Sequence, residues 1–370
     1  MRQTRVSSAP DDKSDSLRYL TFPPMALGDG ASLLSGEIAE RPPDYLGPDL
    51  NPEGLALHPQ QLGRDVYALL ADPLPRDNGG LLVGTRGALL VDAGINGAVA
   101  TQIQETVRRI TDRPLLYLVN TTYHGDHSFG NAYFPDEVHV VSSRINALSM
   151  TDLEREKRMR LGNMRGNVSA LADVKVWRRP DITFANFLEL DLGDRVVQCW
   201  CFGPGNGPGD TVVYDPESAV AWTGNFLGHT GIPPMLLEGG PLPYMESLRR
   251  MQDALDVRVL VPGHGPLEHG DRAIGWMIDY LHALDQEVRS GVDSGRQLDE
   301  ILAMRKLPPI PDDAFPPGAK EKIQERLGDL SRNMDRLNVL STYRAIQAEA
   351  HPSKQQPNSA GQSTLTARAD

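Results

Sequence analysis

Apolar residues along this chain come in short runs separated by turns. DVYALLA, GGLLVGTRGALLVDAG, PLLYLVNTT and VHVVSS, all beyond residue 64, have the length and the bounding turn residues of strands, and the second folds back on itself at Thr85-Arg86-Gly87. Strand patterns return in DITFANF, LELDLG, RVVQCWCFG, TVVYDP, SAVAWTG and VRVLVPG. Between them, Ala98, Ile103, Val107 and Ile110 recur at helical spacing, and SRINALSMTDLEREKRMRLGNM reads as one longer helix with a charged face. YMESLRRMQDAL and DRAIGWMIDYLHALDQEV are two further helices. This order predicts an α/β domain of mixed sheets flanked by helices.

Composition sets the limits of that domain. We expect tails over 1–19 and 351–370, which are polar and without periodicity, and an irregular Pro/Gly-rich arm over 20–62, with Tyr45 and Leu46 covering part of a pocket. The main domain is expected over 63–290. A helical extension follows over 291–350, built from QLDEILAMRK, AKEKIQERLGDL and MDRLNVLSTYRAIQAEA. Internal repeats are not evident.

The net charge of −12 over 370 residues provides no general basic field, so nucleic acid is not an expected partner. Cys199 and Cys201 point the same way along one strand and are not expected to pair. With no run of eighteen apolar residues and no apolar core of a secretory signal, the expectation is a cytoplasmic protein with no membrane partner.

The chemistry concentrates in Asn120-Thr-Thr-Tyr-His-Gly-Asp-His-Ser-Phe-Gly-Asn131, where an apolar strand runs into a loop. His124, Asp126 and His127 place two imidazoles and a carboxylate within four residues, donors that zinc or iron accepts; a plain polar turn is the other reading. Further strands end in Gly/Pro loops at LLVDAG, CFGPGNGPGD, AWTGNF and LVPGHGPL, so one mouth can gather residues from all of them. His58, His139, His269, His282 and His351 have no such context.

The order and spacing of these segments over roughly residues 65–285 resemble the metallo-β-lactamase superfamily, whose members carry H-x-H-x-D-H, then G-H-T-x-G-D, T-G-D and G-H-G. The resemblance implies a four-layer αββα sandwich. It also implies two metal sites, which this chain matches unevenly. At the positions of the first site stand Thr122, His124 and Asn206, so two of three imidazoles are missing. At the positions of the second stand Asp126, His127 and His264, all retained, and Asn225 replaces the aspartate of T-G-D.

The expectation is therefore one divalent ion per chain on Asp126, His127 and His264, with His124 and Asn225 as further candidates. Zn2+ is expected first, with Fe2+ or Mn2+ as alternatives for a two-histidine, one-carboxylate set. His124 and Asp126 are the expected catalytic residues, His124 as general base. Thr122, Asn206 and Asn225 are expected to orient water or substrate, and Asp92 to orient the ligand loop. His229 is read either as facing the pocket or as an exposed loop histidine. Asp210 is expected to hold the loop that presents Asn206. The expected activity is metal-dependent hydrolysis of an ester, thioester, lactone or amide of a small organic molecule. An iron oxygenase or a lyase or cyclase of secondary metabolism is one alternative, and a non-catalytic binding protein on a degenerate site is another.

Overall fold

The computed structural model describes residues 47–350 apart from 234, 237–239, 309, 312 and 316–319, with the backbone alone over 320–329 and at 350. The expected tails, and the arm up to residue 46 with Tyr45 and Leu46, lie outside the described residues.

Two sheets face each other. The first runs in sequence order through β1 (Ala56–Gly63), β2 (Val66–Asp72), β3 (Gly79–Val83), β4 (Ala88–Val91), β5 (Leu115–Val119), β6 (His139–Ser143) and β7 (Ile182–Phe184). It is antiparallel as far as β4 and parallel from β4 to β7. The second contains β8 (Phe187–Asp191), β9 (Val196–Trp200), β10 (Val212–Asp215), β11 (Val220–Gly224) and β12 (Val259–Pro262), antiparallel except for the β11–β12 pair. The helices are α1 (Gly97–Ile110), α2 (Gly125–Ser128), α3 (Arg144–Ser149), α4 (Leu153–Leu161), α5 (Pro241–Ala254), α6 (Gly270–Asp293), α7 (Leu298–Met304) and α8 (Lys320–Ala350).

Side-chain alternation turns these strands into layers. Leu82 and Leu89 point into the space between the sheets with Val119, Val197, Val213 and Trp222, whereas their neighbours Leu81 and Leu90 point outward against Val99, Ile103 and Val107 of α1. Leu248 and Met251 of α5 and Met277, Leu281 and Leu284 of α6 cover the outer face of the second sheet. A strand covered on both faces must be apolar throughout, and β4 is buried at every residue. Each aliphatic side chain so buried contributes roughly 1.5–3 kcal/mol. The order helix, sheet, sheet, helix is the expected αββα sandwich. At Gly80 the sheets nearly touch: a Cβ there would stand 2.2 Å from Trp222 Nε1, which donates to Gly79 O at 3.2 Å. Cys199 and Cys201 are free and buried, and burial pushes both thiols up to about 12.

Three expectations about elements are corrected. Residues 56–62 belong to β1 and not to an irregular arm; Pro59 hid the strand, since proline is tolerated on an edge, which is where β1 lies. The single helix expected over 143–164 breaks in two because Ser143 and Asp152 each cap a new start, accepting from Asn146 N and Arg155 N. The last two helical patches fuse into the 31-residue α8, which Tyr280 Oη anchors by donating to Asp335 Oδ1 at 2.9 Å. No described helix is long and apolar enough to cross a membrane.

Candidate metal centre

The loops that follow β4, β5, β11 and β12 meet at one place. Asp92 leaves β4 in the left-handed region, at φ 62°. From there its Oδ1 accepts from Thr121 N at 2.8 Å, and its Oδ2 accepts from Thr121 Oγ1 at 2.7 Å and lies 2.9 Å from His127 Nδ1. A carboxylate can only accept, so Nδ1 of His127 carries a proton and Nε2 is turned the other way. Ala93 N donates to His127 O and Gly130 N to Gly94 O, both at 2.8 Å, which presses the turn carrying α2 onto the end of β4.

Gly130 makes that close approach possible, because a Cβ there would stand 2.0 Å from Ala93 O. Gly130→Ala is expected to cost at least about 3 kcal/mol in thermal unfolding, since the atom it would strike is backbone. A loss under 1 kcal/mol would show that the turn is held less tightly than these contacts require.

His264 arrives from the other sheet, just beyond β12. Asn78 staples its loop to the segment before β3: Asn78 N donates to Gly263 O at 2.8 Å, and Nδ2 donates to Pro262 O at 2.9 Å and Gly265 O at 2.8 Å. Asp77 is thereby paired with His264 across the sheets. Asp77, Asp126, His127 and His264 then form a group whose donor atoms lie within 4.8 Å of one another. Asp126 Oδ2 is 3.8 Å from His127 Nε2 and 3.6 Å from His264 Nε2, and His127 Nε2 is 3.7 Å from Asp77 Oδ1. Zinc bonds of about 2.0–2.2 Å in a tetrahedron put neighbouring donors roughly 3.3–3.6 Å apart, close to these separations.

The donors also have the chemistry of a cation site. His127 Nε2 and Asp77 Oδ1 are buried without a hydrogen-bond partner, a costly state that an ion between them would relieve. Burial raises the Asp77 carboxyl well above the ordinary carboxylate range, and the charge of Asp126 raises it further. Burial also opposes ionisation of Asp126, but Arg160, His127 and His264 outweigh it and hold this carboxyl well below the ordinary range. Burial alone would lower the His127 imidazole; Asp92, Asp126 and Asp77 overcome that and push it up to about 10. Without a metal, then, the cluster is held together by a proton on His127 that a divalent cation could replace.

A cavity opens in front of this group. Asp126, His264, His124, Arg160, Asn206 and Asn225 provide its polar lining, and Pro48, Ile232, Pro233, Met235, Leu330 and Met334 its apolar wall. Asn225 Nδ2 lies 2.9 Å from His124 Nδ1, and Asn206 Nδ2 donates to Met235 O at 2.7 Å. Asp210 accepts from Gly207 N at 2.8 Å and so holds the loop that presents Asn206; burial raises its carboxyl to about 6. Thr122, expected with the two asparagines, is absent from the lining: it is buried beneath the loop against Asp210.

His229 is neither exposed nor at the cavity. It is buried, its Nδ1 donates to Thr230 O at 2.7 Å, its Nε2 lies 3.4 Å from Glu268 Oε2, and its ring stacks on Phe315 at 4.7 Å. A histidine in a Gly-rich loop looked solvated because its partner Glu268 stands 39 positions away.

Five contributors carried no motif in the sequence. Asp77 sits in the turn PRDNGG, where an acid before a strand reads as an ordinary turn residue. Arg160 and Glu156 belong to a helix whose charges suggest a solvated face, yet both are buried. Leu330 and Met334 lie on α8, an appendage in the linear sequence.

Fold and donor set together define a class, and comparison with known proteins identifies it. Residues 77–264 match the family model described as Metallo-beta-lactamase superfamily. The chain belongs to that superfamily. It is 23% identical over 271 residues to a linear primary-alkylsulfatase from Pseudomonas sp., an alignment covering 62% of this chain and 50% of that protein. Among solved structures it is similar to the stereoselective inverting sec-alkylsulfatase Pisa1 from Pseudomonas sp., with a TM-score of 0.58 and 15% identity, covering 93% of this chain and 63% of the other. A metallo-beta-lactamase from Pontibacter korlensis aligns with a TM-score of 0.48 and 19% identity over 61% of this chain and 99% of its own. The chain spans about half the length of the curated alkylsulfatase it matches.

Proposed function

We propose that this chain is a metal-dependent hydrolase with one divalent ion, zinc first, that cleaves an ester of a small organic molecule with an apolar group. The observation that carries the reading is the convergence of Asp126, His127 and His264 on one point, beside a cavity that Asp126 and His264 line. Asp77 is available as a further donor from behind, leaving the cavity side for water and substrate. The second carboxylate makes the set richer in oxygen than expected, which keeps Fe2+ and Mn2+ as alternatives. Alkyl sulfates enter the ester class through the named activity of the relatives, and the wall of Ile232, Met235, Leu330 and Met334 suits an alkyl group.

A bound divalent ion would supply Lewis acidity and bring the pKa of a coordinated water toward neutrality. The chain's own residues do the rest. Asp92 holds the His127 ring so that Nε2 faces the centre. Asn225 Nδ2, donating to His124 Nδ1, places the His124 proton on Nε2, where it can be given to a substrate oxygen. The general-base role expected for His124 belongs to the opposite tautomer, with the Asn225 amide turned so that its oxygen accepts from Nδ1–H. The apolar wall excludes water from around the scissile bond.

His124→Ala is expected to keep its metal and lose roughly 10²- to 10⁴-fold in turnover, the usual worth of a proton-transfer group. Loss of the metal as well, by elemental analysis, would make His124 a ligand instead. The function itself is tested on protein purified without added metal. About one ion per chain is expected, with activity on a panel of carboxylic esters, lactones, thioesters and alkyl sulfates that a chelator abolishes and zinc restores. A chain that retains no ion and cleaves none of the panel would remove the proposal.

A further inference from the structure

We infer that Arg160 is a built-in cation that holds this centre to a single metal ion, an inference that rests on reading Asp126, His127 and His264 as the ligands. The two oxygens of Asp126 face different partners. Oδ2 looks toward His127 Nε2 and His264 Nε2, at 3.8 and 3.6 Å, while Oδ1 accepts from Arg160 Nη1 at 3.0 Å. Arg160 is only 3% exposed, so water does little to screen that contact.

The guanidinium is also braced in place. Its Nε lies 2.9 Å from Glu156 Oε1, and the same Glu156 oxygen accepts from Gly125 N at 2.8 Å, at the start of α2. One helix, α4, therefore grips the Asp126 turn through both its backbone and its side chain. Arg160 cannot swing away without releasing Glu156 or Asp126.

His124, Asn206 and Asn225 line the same cavity as Asp126 and Arg160. A second cation drawn to Oδ1 and His124 would have to settle beside a guanidinium that stays charged at any working pH. It would also have to break the Asn225–His124 contact and do without Thr122, which is turned beneath the loop. Repulsion in a poorly solvated cavity is strong at such range. Arg160 thus gives Asp126 Oδ1 its positive neighbour permanently, and Oδ2 is the oxygen that would be left for a metal ion.

The test titrates zinc into metal-free protein and follows both the ions bound per chain and the 15N resonances of the His124 ring. In the wild type, about one ion is expected even in excess zinc, with no shift at His124. In excess zinc, Arg160→Met should take up a second, weakly held ion and shift the His124 ring, while Arg160→Lys, which keeps the charge, should stay at about one. A second ion or a His124 shift in the wild type overturns the inference, and that arm needs no variant to fold. A folded Arg160→Met, judged by cooperative unfolding, that still binds one ion also overturns it. A wild type that binds none removes the ligand assignment and this inference with it.

Discussion

Asp126→Ala is expected to lose metal, turnover and a large part of the stability of the metal-free fold, whereas His264→Ala loses the first two and keeps the third. Both changes delete one of the four clustered donors, and the three that remain, one of them the Asp77 carboxyl whose ionisation burial opposes, should not hold an ion through purification. They differ in what they leave behind. Removing the Asp126 carboxylate strands Arg160, buried, with Glu156 as its remaining acid partner at short range. Leaving a buried charge without its partner typically costs 3–5 kcal/mol; because Glu156 remains, about 3 is expected here, or a fall of roughly 6–12 °C in melting temperature. His264 has its side chain one-fifth exposed, and its Nδ1 donates to Pro75 O and lies 3.3 Å from Asp77 Oδ1, a carboxyl that burial already keeps from ionising readily, so its removal strands no ion. Elemental analysis and thermal unfolding in the presence of a chelator separate the two variants. Equal melting temperatures would mean that Arg160 does not depend on Asp126.

Asp92→Asn should weaken zinc binding by about 10- to 100-fold while leaving every donor in place, the usual effect of removing the partner that orients a ligand histidine. The substitution is unusually clean, because Asp92 sits at φ 62° and asparagine tolerates that conformation nearly as well as any residue but glycine. An amide can still accept from Thr121 N, but it cannot match a carboxylate that serves Thr121 N, Thr121 Oγ1 and His127 Nδ1 together. The His127 ring then loses its fixed orientation and part of its basicity.

The pH dependence should change as well. With its imidazole pushed up to about 10, metal-free His127 holds a proton at neutral pH that a metal must displace, so wild-type zinc affinity should rise with pH toward 10. The same proton stabilises the metal-free fold: that contribution is full below the unfolded value near 6.5 and is lost as pH rises through about 10. Asp92 is the largest of the carboxylates holding the proton there, so Asp92→Asn should flatten the rise in zinc affinity above neutrality. A variant with the wild-type slope and wild-type affinity would show that Asp92 acts only on the backbone.

The αββα order was legible because paired apolar runs such as Leu81-Leu82 and Leu89-Leu90 must send neighbouring side chains to opposite faces, which requires cover on both sides of the sheet. Helix α1 was equally plain from its spacing. Where residues carried motif context, the site was legible too: Asp126, His127 and His264 do come together, and Asp92 does touch His127. What stayed hidden depended on contacts between distant segments. Asp77 meets His264 only because Asn78 bonds three carbonyl oxygens of the opposite loop, and no local pattern announces that. Arg160 looks like surface charge until α4 is laid over the ligand turn, and His229 looks solvated until Glu268 and Phe315 enclose it. Thr122 was misplaced for a simpler reason: aligned motif positions say nothing about which way a short side chain turns once its loop is held by Asp210.

The four clustered donors do not come from one half of the molecule. Asp77, Asp126 and His127 hang from the seven-stranded sheet, and His264 from the five-stranded one. An ion gripped by all of them is a rivet through the sandwich as well as a reagent. Demetallated protein should consequently be the easier one to pry apart at that rim, so on the proposed function the supply of metal would set the working lifetime of the folded chain along with its rate.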